Sequence, residues 1–270
     1  MELDKNIHPG KYRINNGMTK RQIINLIKYN KNEKVKLSYN SQIHTIEEFI
    51  SYTSDKLELN EEDLEEFLMD DNYLEDHFNL DPDNAFALIP LNTIEVNWAI
   101  SASDLFNLFK ENYNNLWNEN RIKLAKKIGY KKSEVITLAS IVQSESGISS
   151  EQQKIAGVYI NRLERNMELQ ADPTLKFANK NFTAQRVLNV DKEIDSPYNT
   201  YKYKGLPPGP ICLVDVKTID NVLNYTKHNY LFFCAKPSLN GYSDFSDTYE
   251  KHKKYAVAYQ KEMNKRGINR

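Results

Sequence analysis

Apolar residues along this chain recur mainly at spacings of three and four, the period of helices that each bury one face. Leu138, Ile141 and Val142 stand seven, four and three positions before Glu145, so on a helix the carboxylate ends an apolar stripe. Ser133 would cap that helix and Gly147 would close it. Ser149, with Gln152 three residues on, resembles a capping box opening a second helix, whose stripe is Ile155, Val158, Tyr159 and Leu163. Upstream, Thr19 caps a helix with Ile23, Ile24 and Ile27 on one face. Leu105, Phe106 and Phe109 mark a helix running to about Trp117, and another near Arg121–Ile128 stops at Gly129. Ile7–Ile14 and Ile89–Val96 alternate like strands and each precedes a helix, a pattern that a degenerate repeat or chance would equally produce. Asp172–Pro173 reads as N-cap and first turn of a short helix, and Thr183 as the cap of one carrying Val187 and Leu188.

Towards the C-terminus, Gly205–Ile211 reads as a rigid turn, followed by a helix near Val216–Tyr225. The apolar run Tyr230–Ala235 reads as a buried strand that pairs with Tyr242–Phe245 across the Asn240–Gly241 turn. Asp247 begins a terminal helix with Tyr255, Ala258 and Tyr259 on it. The fold class is therefore α+β, mainly helical with a short antiparallel sheet.

Composition narrows the function more than the fold. With 270 residues the chain has room for two units, each with its own core, and a formal net charge of −1 argues against a nucleic-acid partner. Between Ile46 and Asn84, fifteen acidic residues face the single Lys56, with Leu57, Leu64, Phe67, Leu68, Tyr73 and Leu74 interleaved at helical spacing. That block reads as the solvated faces of short helices. Cys212 and Cys234 form no Cys-x-x-Cys pair and the histidines no His-x-x-x-His face, so neither a metal nor another cofactor is expected. No apolar run reaches the length of a membrane span.

Glu145 is the residue on which chemistry turns. Held against apolar neighbours its charged form is destabilised, its pKa rises, and it becomes a general acid near neutral pH; turned into water, it is an ordinary surface carboxylate. Helix geometry alone admits both outcomes.

Four motifs in order bear on the choice: Leu138–Glu145; Val158–Leu163 with Met167–Thr174; Ser196–Tyr201; and Gly205–Ile211. Together they resemble the endolytic murein transglycosylases, the YceG-like or MltG family, with weaker similarity through Tyr230–Ala235, Phe245–His252 and the Pro-Gly-Lys-Tyr stretch near the N-terminus. The resemblance implies a small LysM-like N-terminal subdomain over residues 1–100 and a larger, mainly helical catalytic domain over residues 101–270. It implies cleavage of the β-1,4 bond between N-acetylmuramic acid and N-acetylglucosamine inside peptidoglycan strands, leaving 1,6-anhydromuramic ends. Glu145 matches the family's catalytic acid. Candidate substrate-binding residues carried by the motifs are Asn161, Arg162, Gln170, Asp172, Tyr198, Asn199, Thr200 and Tyr201. The implied partners are peptidoglycan glycan strands and cell-wall synthases. The implied location is the cell envelope, through an inner-membrane helix ahead of the LysM-like region that this chain lacks; the chain itself is expected to be soluble. Gln143 stands where many relatives are acidic, and Ser243 where a His often precedes Phe-Ser, which leaves the roles of those positions open.

A hydrolase needs a second carboxylate, whereas a lytic transglycosylase uses the sugar's own C6 hydroxyl as nucleophile, so a lone Glu can act as acid and then as base. On that mechanism no second Asp or Glu stands across the cleft at nucleophile distance. Two other readings compete. A noncatalytic glycan-binding scaffold would not need a protonatable Glu145, and an aminodeoxychorismate lyase would need a pyridoxal-phosphate lysine, for which the sequence offers no phosphate-binding glycine loop.

Overall fold

A computed structural model describes residues 7–267 except 41, 90, 185 and 186. Two compact units divide the chain at Tyr113/Asn114.

The first unit opens with α1 (Lys20–Lys28), capped as expected by Thr19 in a reciprocal box with Gln22. The Ile7–Ile14 stretch is not a strand; its one ladder contact is a bridge from Lys11 to Glu33. The strand that the alternation of Lys34–Ser38 encodes is β1, and it pairs antiparallel with β2 (Thr93–Asn97), Val35 facing Val96 and Leu37 facing Ile94. The two segments read as a repeat thus form different structures. Between the strands run α2 (Ile46–Ser54), α3 (Glu61–Met69) and α4 (Asp71–Phe78), then a 3-10 turn at Pro82–Leu88. Leu64, Leu68 and Leu74 are fully buried while the acidic positions between them face water, as the block's periodicity requires. Tyr39, Phe49 and Phe109 meet at centroid distances of 5.2–6.0 Å in this core, Phe109 coming from α5 (Ala102–Leu116).

In the second unit α6 (Glu119–Ile128) ends at Gly129, whose φ of +83° suits the left-handed cap. Next come α7 (Lys132–Glu145) and α8 (Ser149–Glu164). Every residue of α7 from Val135 to Val142 is buried, so it is a central helix packed by α8 and by α10 (Val216–Leu223) rather than an amphipathic one. Gln143 spans the end of this packing: its amide donates to the Leu213 carbonyl at 2.8 Å and accepts from the Asp215 N–H at 2.8 Å. Gln152 points inward rather than closing a box with Ser149, bonding the Ser146 carbonyl at 2.7 Å and Asn221 at 2.7 Å. A Cβ on Gly157 would lie 2.6 Å from the Thr226 carbonyl oxygen, so this glycine sets how closely α8 approaches the segment after α10.

Four details differ from expectation downstream. Asp172 is the first residue of α9 (Asp172–Ala178), not its N-cap, which is Ala171. Of the helix expected after Thr183, residues 185 and 186 lie outside the described residues, Val187 and Leu188 are not helical, and a 3-10 turn occupies Asn189–Glu193. The strand β3 (Phe232–Ala235) pairs with β4 (Ser243–Ser246) through the predicted Asn240–Gly241 turn, but it is half-buried, not buried, because one side of it faces a cleft. The terminal helix α11 (Tyr249–Lys265) is capped by Thr248, one residue later than Asp247. No helix among the described residues is long and apolar enough to cross a membrane.

Candidate active site

Glu145 is the last residue of α7, and α8 returns across it so that Tyr159, itself 1% exposed, donates its hydroxyl hydrogen to Glu145 Oε1 at 2.7 Å. Of the two outcomes open to this carboxylate, the protein adopts the buried one. The residue keeps a partial opening to solvent, but its carboxyl group is packed by protein atoms. Burial pushes its pKa up to about 7, with the negative charge of Asp172 adding to the rise and the Tyr159 hydrogen bond and Lys176 opposing it. Burial and the adjoining carboxylate raise the Tyr159 phenol well above its ordinary value, so it stays a donor.

A cleft of about 270 Å³ opens beside this pair. Gln170 and Asp172 line it from the start of α9, and Tyr201 from the following loop. Gln170 holds φ +49°, left-handed for a non-glycine residue, and its N–H donates to the Thr200 carbonyl at 2.9 Å. Asp172 makes no cap bond; it accepts the Tyr201 hydroxyl at 2.5 Å, while the Lys192 ammonium sits 4.8 Å from the Tyr201 ring centre. Arg162, Phe232, Phe233, Tyr249 and His252 complete the lining. Arg162 is a clasp: its Nε donates to the Leu231 carbonyl at 2.6 Å and its Nη1 to the Leu169 carbonyl at 2.8 Å, which ties α8 to both the β3 and α9 approaches. Burial lowers its pKa from the ordinary guanidinium value.

The cleft therefore gathers Glu145, Arg162, Gln170, Asp172 and Tyr201. The other named candidates support it from behind. Asn161 gives its amide hydrogens to the carbonyls of His228 and Tyr230, at 2.8 and 2.9 Å. Asn199 is fully buried and bonds the carbonyls of Lys192 and Ile194 and the N–H of Tyr201, all within the loop. Thr200 accepts the Ala171 N–H at 3.0 Å and meets Thr174 at 2.8 Å, locking that loop to α9. Tyr198 packs its ring on Phe177 at 4.5 Å. Sequence reasoning missed Phe232, Phe233, Tyr249 and His252 as lining, and saw Tyr159 only as part of an apolar stripe. Their signals were present: two of the three weaker stretches, Tyr230–Ala235 and Phe245–His252, contain the four lining residues, and Tyr249 and His252 are three apart at a helix start.

Asp172 is a second carboxylate in the lining of the cleft, and it is already engaged by Tyr201. A larger hollow of about 480 Å³ beside Asp195, Tyr203 and Leu206 offers no comparable acid. Hydrogen bonds from Lys202 and Tyr203 hold the Asp195 carboxyl below its usual range.

The profile of the YceG-like family matches residues 1–258. The endolytic murein transglycosylase of Bacillus subtilis strain 168 is 36% identical over 160 residues, 59% of this chain and 41% of that protein. The protein of the same name from Streptococcus pneumoniae D39 is 37% identical over 107 residues, 38% of this chain and 19% of its own length. The chain thus spans less than half the length of these curated relatives. A crystal structure of a YceG-like protein from Listeria monocytogenes has the same fold, with a TM-score of 0.67 at 26% identity over 93% of this chain and 85% of that one.

Proposed function

The chain belongs to the YceG-like family, and from that premise we propose that it cuts peptidoglycan glycan strands internally as a lytic transglycosylase, with Glu145 as acid and then base. Its curated relatives bear the name endolytic murein transglycosylase, which supports peptidoglycan as the substrate. The observation that carries the assignment is the Glu145 carboxyl, buried, held by Tyr159 at 2.7 Å and pushed to about pKa 7. Such a group is about half protonated near neutral pH, so it can both give the proton up and take one back.

In the proposed reaction Glu145 protonates the glycosidic oxygen that leaves on N-acetylglucosamine, as the bond from C1 of N-acetylmuramic acid breaks through an oxocarbenium-like state. The C6 hydroxyl of the same muramic ring attacks C1, and its proton passes to the Glu145 carboxylate. No water is consumed, the ring closes as a 1,6-anhydro end, and the acid is restored. Tyr159 holds the carboxylate in place during the step in which it is charged. Residues 1–100 serve as a LysM-like subdomain and residues 101–270 as the catalytic domain; antiparallel β1 and β2 with helices between them support the first part of that division. The setting that fits this substrate is the cell envelope, alongside cell-wall synthases.

Asp172 favours one second reading, a hydrolase in which it activates water. Digestion of uncrosslinked glycan strands, with product masses recorded, separates the two. Anhydromuramic ends are expected from the wild type, and Glu145→Gln should lower the rate by about 10²–10⁴. Reducing ends would assign the hydrolase, equal cleavage by the variant would remove Glu145 from the reaction, and no cleavage by the wild type would leave a noncatalytic glycan binder.

A further inference from the structure

Proton transfer by Glu145 accounts for one part of the cleft lining and leaves an aromatic part without a task. Phe232 comes from β3, and Tyr249 and His252 from the first turn of α11, where a spacing of three puts them on one helix face. Their rings form a closed triad: Phe232 lies 5.3 Å from His252 at an interplanar angle of 21°, and 5.9 Å from Tyr249, which is 6.2 Å from His252. The Arg162 guanidinium sits 5.1 Å from the Phe232 ring centre and is itself fixed by backbone carbonyls, so the triad has a rigid support. Tyr249 nevertheless leaves 65% of its surface to solvent. A single exposed aromatic ring is unremarkable, but one joined to two others inside a cleft with a proton donor is a ready stacking surface.

The triad also carries little charge. Burial and the nearby Arg162 lower the His252 pKa, which keeps the imidazole neutral at neutral pH, and its Nδ1 is buried without a hydrogen-bond partner among the described residues. A neutral, partly apolar wall, in which the Tyr249 ring is tilted by 59° from Phe232 and 43° from His252, suits the C–H face of an uncharged pyranose better than an anionic group.

We infer that Phe232, Tyr249 and His252 form a stacking platform for an N-acetylhexosamine ring bound in the same cleft as Glu145. The platform deepens the proposed function, since it assigns a sugar-binding wall to that site, but it is tested by binding as well as by turnover. The full chain is titrated calorimetrically with the N-acetylglucosamine tetramer as wild type, Tyr249→Ala and Tyr249→Phe, and KM and kcat are measured on uncrosslinked glycan strands. Tyr249→Ala should weaken tetramer binding and raise KM about tenfold with kcat changed less than about threefold, and Tyr249→Phe should restore both to within about twofold. Equal melting temperatures are expected, because the ring is exposed at the helix start. Unchanged binding in Tyr249→Ala, or no tetramer binding by the wild type, would overturn the platform. Binding that depends on the ring without any strand cleavage would keep the platform and remove the proposed catalytic activity.

Discussion

The acidic block on α2, α3 and α4 and the single carboxylate at the end of α7 arise from the same helical periodicity and have opposite fates. On α3, Leu64 and Leu68 take the inner positions and Glu62, Glu65 and Glu66 are left facing water. On α7 the inner positions run around the whole helix, and α8 folds back to place Tyr159 on Glu145. A carboxylate acquires chemistry from the second element that covers it. Abundance of acid in a region says nothing of this: the region with fifteen acidic residues supplies no member of the cleft.

Stability as a function of pH tests the contrast most severely. The Glu145 carboxyl has an ordinary value of 4.5 and a folded value of about 7, so the folded state holds this proton more tightly than the unfolded one. The stabilisation is complete below the unfolded value and is lost as pH rises through the folded one. Between pH 4.5 and 8 the wild type should therefore lose about 3 kcal/mol relative to Glu145→Gln, which cannot ionise. Glu65→Gln should track the wild type over the same range. Denaturant midpoints at four or five pH values would measure both, and parallel curves for Glu145→Gln and wild type would remove the difference between the regions.

Arg162→Lys probes the walls of the cleft rather than its acid. A lysine cannot reach both the Leu231 and Leu169 carbonyls in the fork geometry that the guanidinium uses. A loss of about 2 kcal/mol is expected from the orphaned carbonyls, read as a shift in the urea midpoint. A variant as stable as the wild type would mean that the clasp does not hold the lining together.

How far this site could be read beforehand depends on the kind of residue. The stripe from Leu138 to Glu145 was legible because its period fixes a face, and the motifs that follow it brought Gln170, Asp172 and Tyr201 to attention. The covering hydroxyl was not: in sequence Tyr159 is one more apolar member of a stripe, and which carboxylate its oxygen meets is decided by the turn between α7 and α8. Asn199 and Thr200 looked like ligand contacts because they are polar residues in a loop, yet a tight loop needs side chains to satisfy its own backbone groups, and theirs do. Gln152 shows the same competition. It matches a capping box in spacing, but a buried partner in Asn221 takes its amide oxygen. Phe232 and Phe233 were hidden by composition, since an apolar run looks the same whether it is covered or lines a cleft.

Tyr159→Phe refines the account of why Glu145 differs, with a smaller effect. The hydroxyl stabilises the charged carboxylate, so its loss should raise the Glu145 pKa further. If Glu145 acts as the acid, strand cleavage falls as pH passes its pKa, and in the variant that falling limb should move up by about one pH unit, some 1.4 kcal/mol. A limb that moves down would mean that Tyr159 favours the neutral acid instead.

The smallest effect is expected in the acidic block, and with the opposite sign. Glu66 lies in the last turns of α3, four residues from Glu62 on one side and Asp70 on the other, where its charge opposes both neighbours and the helix dipole. Glu66→Lys turns all three interactions favourable at an exposed position, so it should stabilise the chain by about 0.5 kcal/mol at low salt. Added salt at about 0.5 M should remove most of the gain, because the charges are separated by water. Stabilisation well beyond that, or one that survives salt, would show that these carboxylates are not simply solvated and would bring the two regions closer together than their burial suggests.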